Sequence, residues 1–230
     1  MPRDLPEYYA ITAALRAGEK WVPSKAVGDS FGAGNIEAFP NNVDSSRLST
    51  PTPFLKQAAC RDWLNRFKRM LDSGIELVQL RVKELPAAQL EELARYCQGL
   101  AGGQGIKLML NGPAELARDV GMAGVHLTSE GLMASHGRPL SEEYLIGASC
   151  HSPEELKKAE AIGADFACLS PIRAVKSYAR GESLGFDRFA EWVADCDIPV
   201  YALGGLRRED LDAVRTAGGQ GVAGISAFWN

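Results

Sequence analysis

The sequence has no run approaching the ~20 apolar residues that a membrane-spanning helix needs. Its opening, Met1-Pro2-Arg3-Asp4, is followed by no apolar stretch of the kind that forms a secretory leader. These absences predict a cytoplasmic protein. It also lacks a basic excess: the formal net charge is −4 at pH 7, which gives no field to gather nucleic acid or an anionic membrane surface. Neither partner is expected. The five cysteines are dispersed, odd in number and never spaced C-x-x-C, so they read as reduced thiols. The three histidines, at 126, 136 and 151, lack the i, i+4 pairing of a helical zinc site, and no cysteine cluster supplies further ligands. A structural zinc is not expected.

What the 230 residues do contain is an ordinary globular balance, 46% hydrophobic and 23% charged, enough apolar surface for a sizeable core. A single domain spanning 1–230 is expected. From about residue 74 onward, short apolar runs alternate with amphipathic stretches, the pattern of repeated strand-helix units around a parallel sheet. Seven runs read as strands: Leu77 to Leu80, Lys107 to Leu110, Gly124 to Leu127, Leu145 to Ala148, Phe166 to Leu169, Pro199 to Leu203 and Gly221 to Ile225. An eighth, Tyr8 to Thr12, would open the sheet, and eight strands close an α/β TIM (βα)8 barrel. Pro86 leads into a helix over Ala87 to Gly99, and Glu209 to Ala217 keeps helical spacing up to Gly218-Gly219. Ser152-Pro153-Glu154-Glu155 reads as a capping box with proline at the first helical position, Glu155 reaching back to the cap.

Two stretches break the pattern. Residues 13–53 scatter glycines and prolines among polar residues and far exceed the ~2–6 residues of a strand-to-helix loop, which marks an insertion after the first strand. After the last strand only five residues remain, to Trp229-Asn230, too few for a full closing eighth helix. Parallel strands need both faces covered, so the insertion or a second subunit should fill the gap, and a homodimer is the expectation.

Barrels of this architecture place their sites at the C-terminal ends of the strands, with phosphate at the loops after the last two. Here those loops are Leu203-Gly204-Gly205-Leu206 and Gly224-Ile225-Ser226-Ala227. Glycine lets the backbone approach an anion, and consecutive amides bind phosphate without a basic side chain; the plainer alternative is a tight turn. In Gln79-Leu80-Arg81-Val82-Lys83, strand alternation puts Gln79, Arg81 and Lys83 on one side. Inward-facing cations call for an anion, unless this is only a solvated strand end. Asn111 stands at the same mouth, where it can donate and accept. Ala148-Ser149-Cys150-His151-Ser152 brings a hydroxyl, a thiol and an imidazole to the start of a helix, which makes His151 a candidate base or, more plainly, a capping residue. His126, between Val125 and Leu127, reads as a hydrogen-bonded interior residue.

Several motifs then fall in a telling order: Gln79-Leu80-Arg81-Val82-Lys83, Leu110-Asn111, Gly124-Val125-His126-Leu127, Gly147-Ala148-Ser149-Cys150-His151-Ser152, Gly163-Ala164-Asp165-Phe166, Ser170-Pro171-Ile172, Ala202-Leu203-Gly204-Gly205 and Gly221-Val222-Ala223-Gly224-Ile225-Ser226. In that order they resemble the thiamine phosphate synthase/TenI family over roughly residues 70–228. Ala148-Ser149-Cys150-His151 and Leu169-Ser170-Pro171 look most similar to the synthase-like domain that some bacteria fuse to a Nudix hydrolase.

The resemblance implies a TIM barrel of thiamine biosynthesis that holds a phosphorylated thiazole at a lip made by Gly204, Gly205, Gly224, Ile225 and Ser226. In the synthase, the residues matching Gln79, Arg81, Lys83 and Asn111 hold the pyrophosphate of an aminopyrimidine. The same implication extends to Ser149, and to Lys176 if the alignment is gapped. The synthase holds magnesium with two aspartates, one after the asparagine of the third strand and one before Gly-Val-His-Leu, where this sequence has Gly112 and Ala123. No cofactor is therefore expected, with Mg2+ entering only if synthase activity is retained. The TenI-like branch isomerises a thiazole carboxylate phosphate by proton transfer, and its histidine matches His151. The expected function is thus a metal-independent thiazole tautomerase-like enzyme with His151 as acid and base. The alternatives are a thiamine phosphate synthase and a non-catalytic domain that binds a thiamine precursor.

Overall fold

The structure is a computed structural model, and it describes residues 4–13, 52–83, 85–175 and 183–229. Eight parallel strands, β1 (Tyr8–Ile11), β2 (Leu77–Leu80), β3 (Lys107–Leu110), β4 (Gly124–Leu127), β5 (Leu145–Cys150), β6 (Phe166–Leu169), β7 (Val200–Leu203) and β8 (Gly221–Gly224), pair in chain order into a closed barrel. Closure is made by β1 against β8, with Tyr8 opposite Val222 and Ala10 opposite Gly224. The expected TIM-like barrel forms, each strand within two residues of its sequence-read span. Nearly all of the expected insertion, residues 14–51, lies outside the described residues.

Helices fill the intervals: α1 (Ala58–Leu71), α2 (Ala87–Gly102), α3 (Ala114–Val120), α4 (Ser129–Ala134), α5 (Pro153–Ala161), α6 (Gly185–Ala194) and α7 (Leu211–Thr216), the last entered through a 3-10 turn at Arg208–Asp210. In α1, Cys60, Trp63, Leu64, Phe67 and Leu71 recur at helical spacing and are buried against the sheet. The α5 cap differs from the expected box. Ser152 Oγ accepts from the Glu155 amide as anticipated, but the Glu155 carboxylate passes Ser152 by. It accepts from the His151 amide (2.5 Å) and from Ser129 Oγ on α4 (2.6 Å). A neighbouring helix start competes for this carboxylate, so it ties two strand-to-helix loops together instead of closing one cap.

Two cores result. One lies between sheet and helices. The other fills the barrel, where Tyr9, Met109, Phe166 and Tyr201 are fully buried. There the Tyr9 and Phe166 rings meet edge to face at 5.2 Å, and Phe166 meets Tyr201 at 5.4 Å. This aromatic plug is the base on which a polar layer rests. Gly147 makes room for that layer, because a Cβ there would stand 2.6 Å from both His126 Nδ1 and Phe166 Cζ.

The segment after β8 packs back onto the barrel wall. A single turn follows β8, with the Phe228 and Trp229 amides donating to the Ile225 carbonyl. Phe228 meets Tyr8 at 5.9 Å, Trp229 meets Trp63 of α1 at 5.0 Å, and the Arg208 guanidinium lies 5.0 Å over the Phe228 ring. Burying two such aromatics contributes roughly 1.5–3 kcal/mol each. α1 and the 3-10 turn before α7 thus pack against the segment that follows β8.

Candidate active site

The C-terminal ends of the strands enclose an open cleft of about 810 Å3. Every sequence-predicted site residue except Lys176 lines it: Gln79, Arg81, Lys83, Asn111, Ser149 and His151 on one side, Gly204, Gly205, Gly224, Ile225 and Ser226 on the other. Lys176 lies outside the described residues.

On the β2 side, alternation stacks three polar residues from floor to rim. Gln79 is 1% exposed, Arg81 is half-buried and Lys83 is exposed. The Arg81 backbone is pinned by Thr12, whose Oγ1 accepts from the Arg81 amide (3.0 Å) and donates to its carbonyl (3.3 Å). Burial lowers the pKa of the Arg81 guanidinium, yet a guanidinium keeps its charge, and among the described residues no carboxylate pairs with it. A desolvated cation of this kind favours an anionic ligand. Asn111 donates Nδ2–H to the His126 carbonyl (2.9 Å), which fixes its amide plane and leaves its carbonyl oxygen and second N–H toward the cleft.

The opposite wall is built from main chain. Gly204 and Gly205 have φ of +106° and +69°, and a Cβ on Gly204 would lie 2.9 Å from Pro171 Cα. Only glycine fits there. The Leu203 and Gly204 carbonyls turn away to accept from the Ile172 and Arg173 amides (2.9 and 3.1 Å). Arg173 also grips Asp210 with both guanidinium branches (3.0 and 2.7 Å), holding the loop after β6 to the segment that follows the lip. Among the described residues, the amides of Gly204, Gly205, Ile225 and Ser226 find no protein acceptor. All four residues line the cleft, where unsatisfied amides can bind an anion.

Between the walls lies a floor that the sequence reading only half anticipated. His126 is the hydrogen-bonded interior residue expected: Nδ1 is 3.1 Å from Tyr9 Oη and Nε2 is 3.0 Å from Ser149 Oγ. Burial, helped by Arg81, drives its pKa down to about 3, so the ring is neutral. Tyr9 was missed as a partner, because alternation along β1 gives no hint that its hydroxyl meets a histidine three strands away. At the rim, His151 places Nδ1 2.8 Å from the Ser170 carbonyl oxygen, an acceptor only, so Nδ1 carries the proton and Nε2 is the basic nitrogen.

Thr128, Ser129 and Glu130, at the start of α4, also line the cleft and were not singled out; their position directly after β4 was the available signal. Glu130 is the only carboxylate on the lining among the described residues, and it is exposed. No group of three or more His, Cys, Asp or Glu that could hold a metal occurs among the described residues. Since magnesium is usually bound through one or two carboxylates together with substrate phosphates, Glu130 is the lining carboxylate among the described residues that could contact such an ion. The structure also corrects one strand of the metal argument. Ala123 precedes β4, at the end of the barrel away from the cleft, where its amide donates to the Leu108 carbonyl. A carboxylate there would sit about 13 Å along the strand from the mouth, so the absence of aspartate at Ala123 says nothing about the site. Gly112, next to Asn111, remains relevant.

Comparisons with known proteins agree with this architecture. A family model described as thiamine monophosphate synthase matches residues 53–228. A putative thiamine-phosphate synthase of Geobacter sulfurreducens is 40% identical over 174 residues, covering 75% of this chain and 82% of that protein. A thiamine-phosphate synthase of Azorhizobium caulinodans is 34% identical over 170 residues, covering 73% and 80%. Among solved structures, thiamine phosphate pyrophosphorylase from Pyrococcus furiosus superposes with a TM-score of 0.64 at 21% identity, over 96% of this chain and 86% of that one, which supports the fold. No helix among the described residues is long and apolar enough to cross a membrane. With the family model spanning the barrel and these relatives aligned across it, the chain belongs to the thiamine monophosphate synthase family of thiamine biosynthesis.

Proposed function

We infer that this chain is a transferase of the thiamine-phosphate synthase type, joining an aminopyrimidine carried as its pyrophosphate to a phosphorylated thiazole. The observation that carries this reading is that the cleft is lined on one side by Arg81, Lys83 and Asn111 and on the other by the glycine-rich loops after β7 and β8, two walls of different construction. An isomerase acting on a thiazole carboxylate phosphate would bring a phosphate to the amide lip but only a single carboxylate to the opposite wall, whereas the half-buried Arg81 and the neighbouring Lys83 together match the higher charge of a pyrophosphate. The names of the aligned relatives point the same way.

In this reading the lip of Gly204, Gly205, Ile225 and Ser226 amides takes the thiazole phosphate, while Arg81, Lys83 and Asn111 take the pyrophosphate, with Gln79 and Ser149 beneath the pyrimidine. Lys176 would add to the pyrophosphate side. The carbon–oxygen bond to pyrophosphate breaks, the leaving group keeping the electron pair, and a bond forms from the thiazole nitrogen to the pyrimidine methylene. Arg81 and Lys83 favour this step because negative charge grows on the leaving oxygens beside fixed cations. Holding both phosphates also fixes the two reacting atoms relative to each other.

The tautomerase reading keeps one specific support, the His151 ring held by the Ser170 carbonyl with its basic nitrogen at the rim. A paired assay separates the two. The expected result is formation of thiamine phosphate from both substrates by the wild type. Isomerisation of the thiazole carboxylate phosphate, abolished in His151→Ala, would instead favour the tautomerase. Neither reaction above background, with thiazole phosphate still bound by His151→Ala, would leave a binding domain only.

A further inference from the structure

Beneath the cleft a single file of hydrogen bonds crosses the barrel from β2 through β1 and β4 to β5. Gln79 donates Nε2–H to Tyr9 Oη (3.0 Å), Tyr9 Oη meets His126 Nδ1 (3.1 Å), and His126 Nε2 meets Ser149 Oγ (3.0 Å). Its members are held tightly: Tyr9, Gln79 and His126 are at most 2% exposed, and Gly147 leaves space for no atom beside the imidazole. Only Gln79 and Ser149, at the two ends, reach the cleft.

The direction of the file follows from counting hydrogens. The Tyr9 hydroxyl has one hydrogen and two candidate acceptors, His126 Nδ1 at 3.1 Å and the Met109 thioether at 3.8 Å. A thioether is a weak acceptor and an imidazole nitrogen a strong one, so the hydrogen goes to Nδ1. Gln79 fills a lone pair on the phenol oxygen, which removes any need for a second donor from the ring. The neutral imidazole has a single N–H, which must then sit on Nε2 and point at Ser149 Oγ. That serine oxygen, now an acceptor on its inner side, retains its own hydrogen, and among the described residues it donates to no protein atom.

We propose that Tyr9 is a positioning residue which, through His126, fixes the Ser149 hydroxyl as a donor aimed into the cleft, toward a substrate atom that can only accept, such as a ring nitrogen or an anionic oxygen. A reversed file, with Nδ1–H donating to Tyr9 and Ser149 donating inward, would present only a serine lone pair and favour a substrate N–H. The barrel interior therefore selects the polarity of a ligand contact from a residue that never touches the ligand. Which substrate supplies the acceptor rests on the synthase reading; the polarity of the file does not.

Nitrogen-15 NMR of the His126 ring in the wild-type protein tests the polarity directly. The expected spectrum shows Nε2 protonated and Nδ1 bare; an Nδ1–H tautomer overturns the proposal. Tyr9→Phe should release the tautomer preference and lower kcat for coupling roughly tenfold, with KM for the thiazole phosphate unchanged. Ser149→Ala should fall similarly, and the double variant no further than Ser149→Ala alone. Wild-type tautomer and rate in a folded Tyr9→Phe would overturn the proposal. If Tyr9→Phe does not fold, the wild-type spectrum still decides. If the wild type shows no coupling, the synthase reading fails while the tautomer remains measurable.

Discussion

On the β2 side of the cleft, attraction for an anion sits on side chains, with Arg81 half-buried over a neutral histidine and Lys83 reaching up from the rim. On the β7–β8 side it would sit in the peptide backbone, in four amides with no protein acceptor among the described residues, at two glycines of positive φ and the turn after β8. The first wall can be weakened by changing one functional group and leaves the chain path alone. The second is indifferent to most side-chain changes and fails only when the path itself is disturbed. In the proposed reading, one affinity could thus be adjusted without moving the other.

The sharpest way to break this contrast is Gly204→Ala. The added Cβ meets Pro171 Cα at 2.9 Å in a conformation that alanine disfavours. Affinity for the phosphorylated thiazole should drop by roughly 100-fold or more, with about 1–3 kcal/mol of stability lost, read by calorimetric titration and urea unfolding. Pyrophosphate affinity should change far less. Arg81→Met should do the reverse: pyrophosphate binding weakens by about 1.5–3 kcal/mol, thiazole phosphate binding stays, and the unliganded protein becomes no less stable, since a desolvated cation with no carboxylate partner among the described residues has been removed. Equal losses of both ligands in either variant would mean that the walls are not separate.

Acid should undermine the floor under the cationic wall. The His126 pKa in the folded chain, about 3, lies below that of the unfolded chain, so the unfolded state binds the extra proton first. Its contribution to stability is complete above about pH 6.5 and is lost progressively as pH falls toward about 3. Between pH 7 and pH 5 this group alone should remove about 2 kcal/mol, visible in urea unfolding at the two pH values and absent in a folded His126→Gln. The smallest effect should come from Ser226→Ala. In the proposed lip it binds through its amide, so KM for the phosphorylated thiazole should change less than about threefold, a hydrogen bond's worth or below. A loss as large as that in Arg81→Met would show that the lip binds through side chains after all.

Both walls were legible in the sequence because each is local. Gly204-Gly205 and Gly224-Ile225-Ser226 follow their strands directly, and Gln79, Arg81 and Lys83 declare themselves by alternation within five residues. What lies between them was not legible. Tyr9 and His126 are 117 positions apart and meet only because the barrel closes. The Glu155 carboxylate followed the local capping rule until Ser129, from another loop, offered a hydrogen. β5 runs on to Cys150, past the apolar run that marks it, because Ser149 and Cys150 find partners in Cys168 and Leu169 of β6. Ala123 was a different kind of error, a failure to ask which end of a strand a neighbouring position occupies.

The turn after β8 has an optical consequence. Its first residues, Ile225 and Ser226, offer amides to the cleft, while its last, Trp229, lies 5.0 Å from the Trp63 indole and is tied back to Ile225 by a 2.9 Å hydrogen bond. A shift of those amides on anion binding would pass through that hydrogen bond to an indole four residues away. Tryptophan emission should therefore follow titration with a phosphorylated thiazole and stay flat with pyrophosphate, with no label attached.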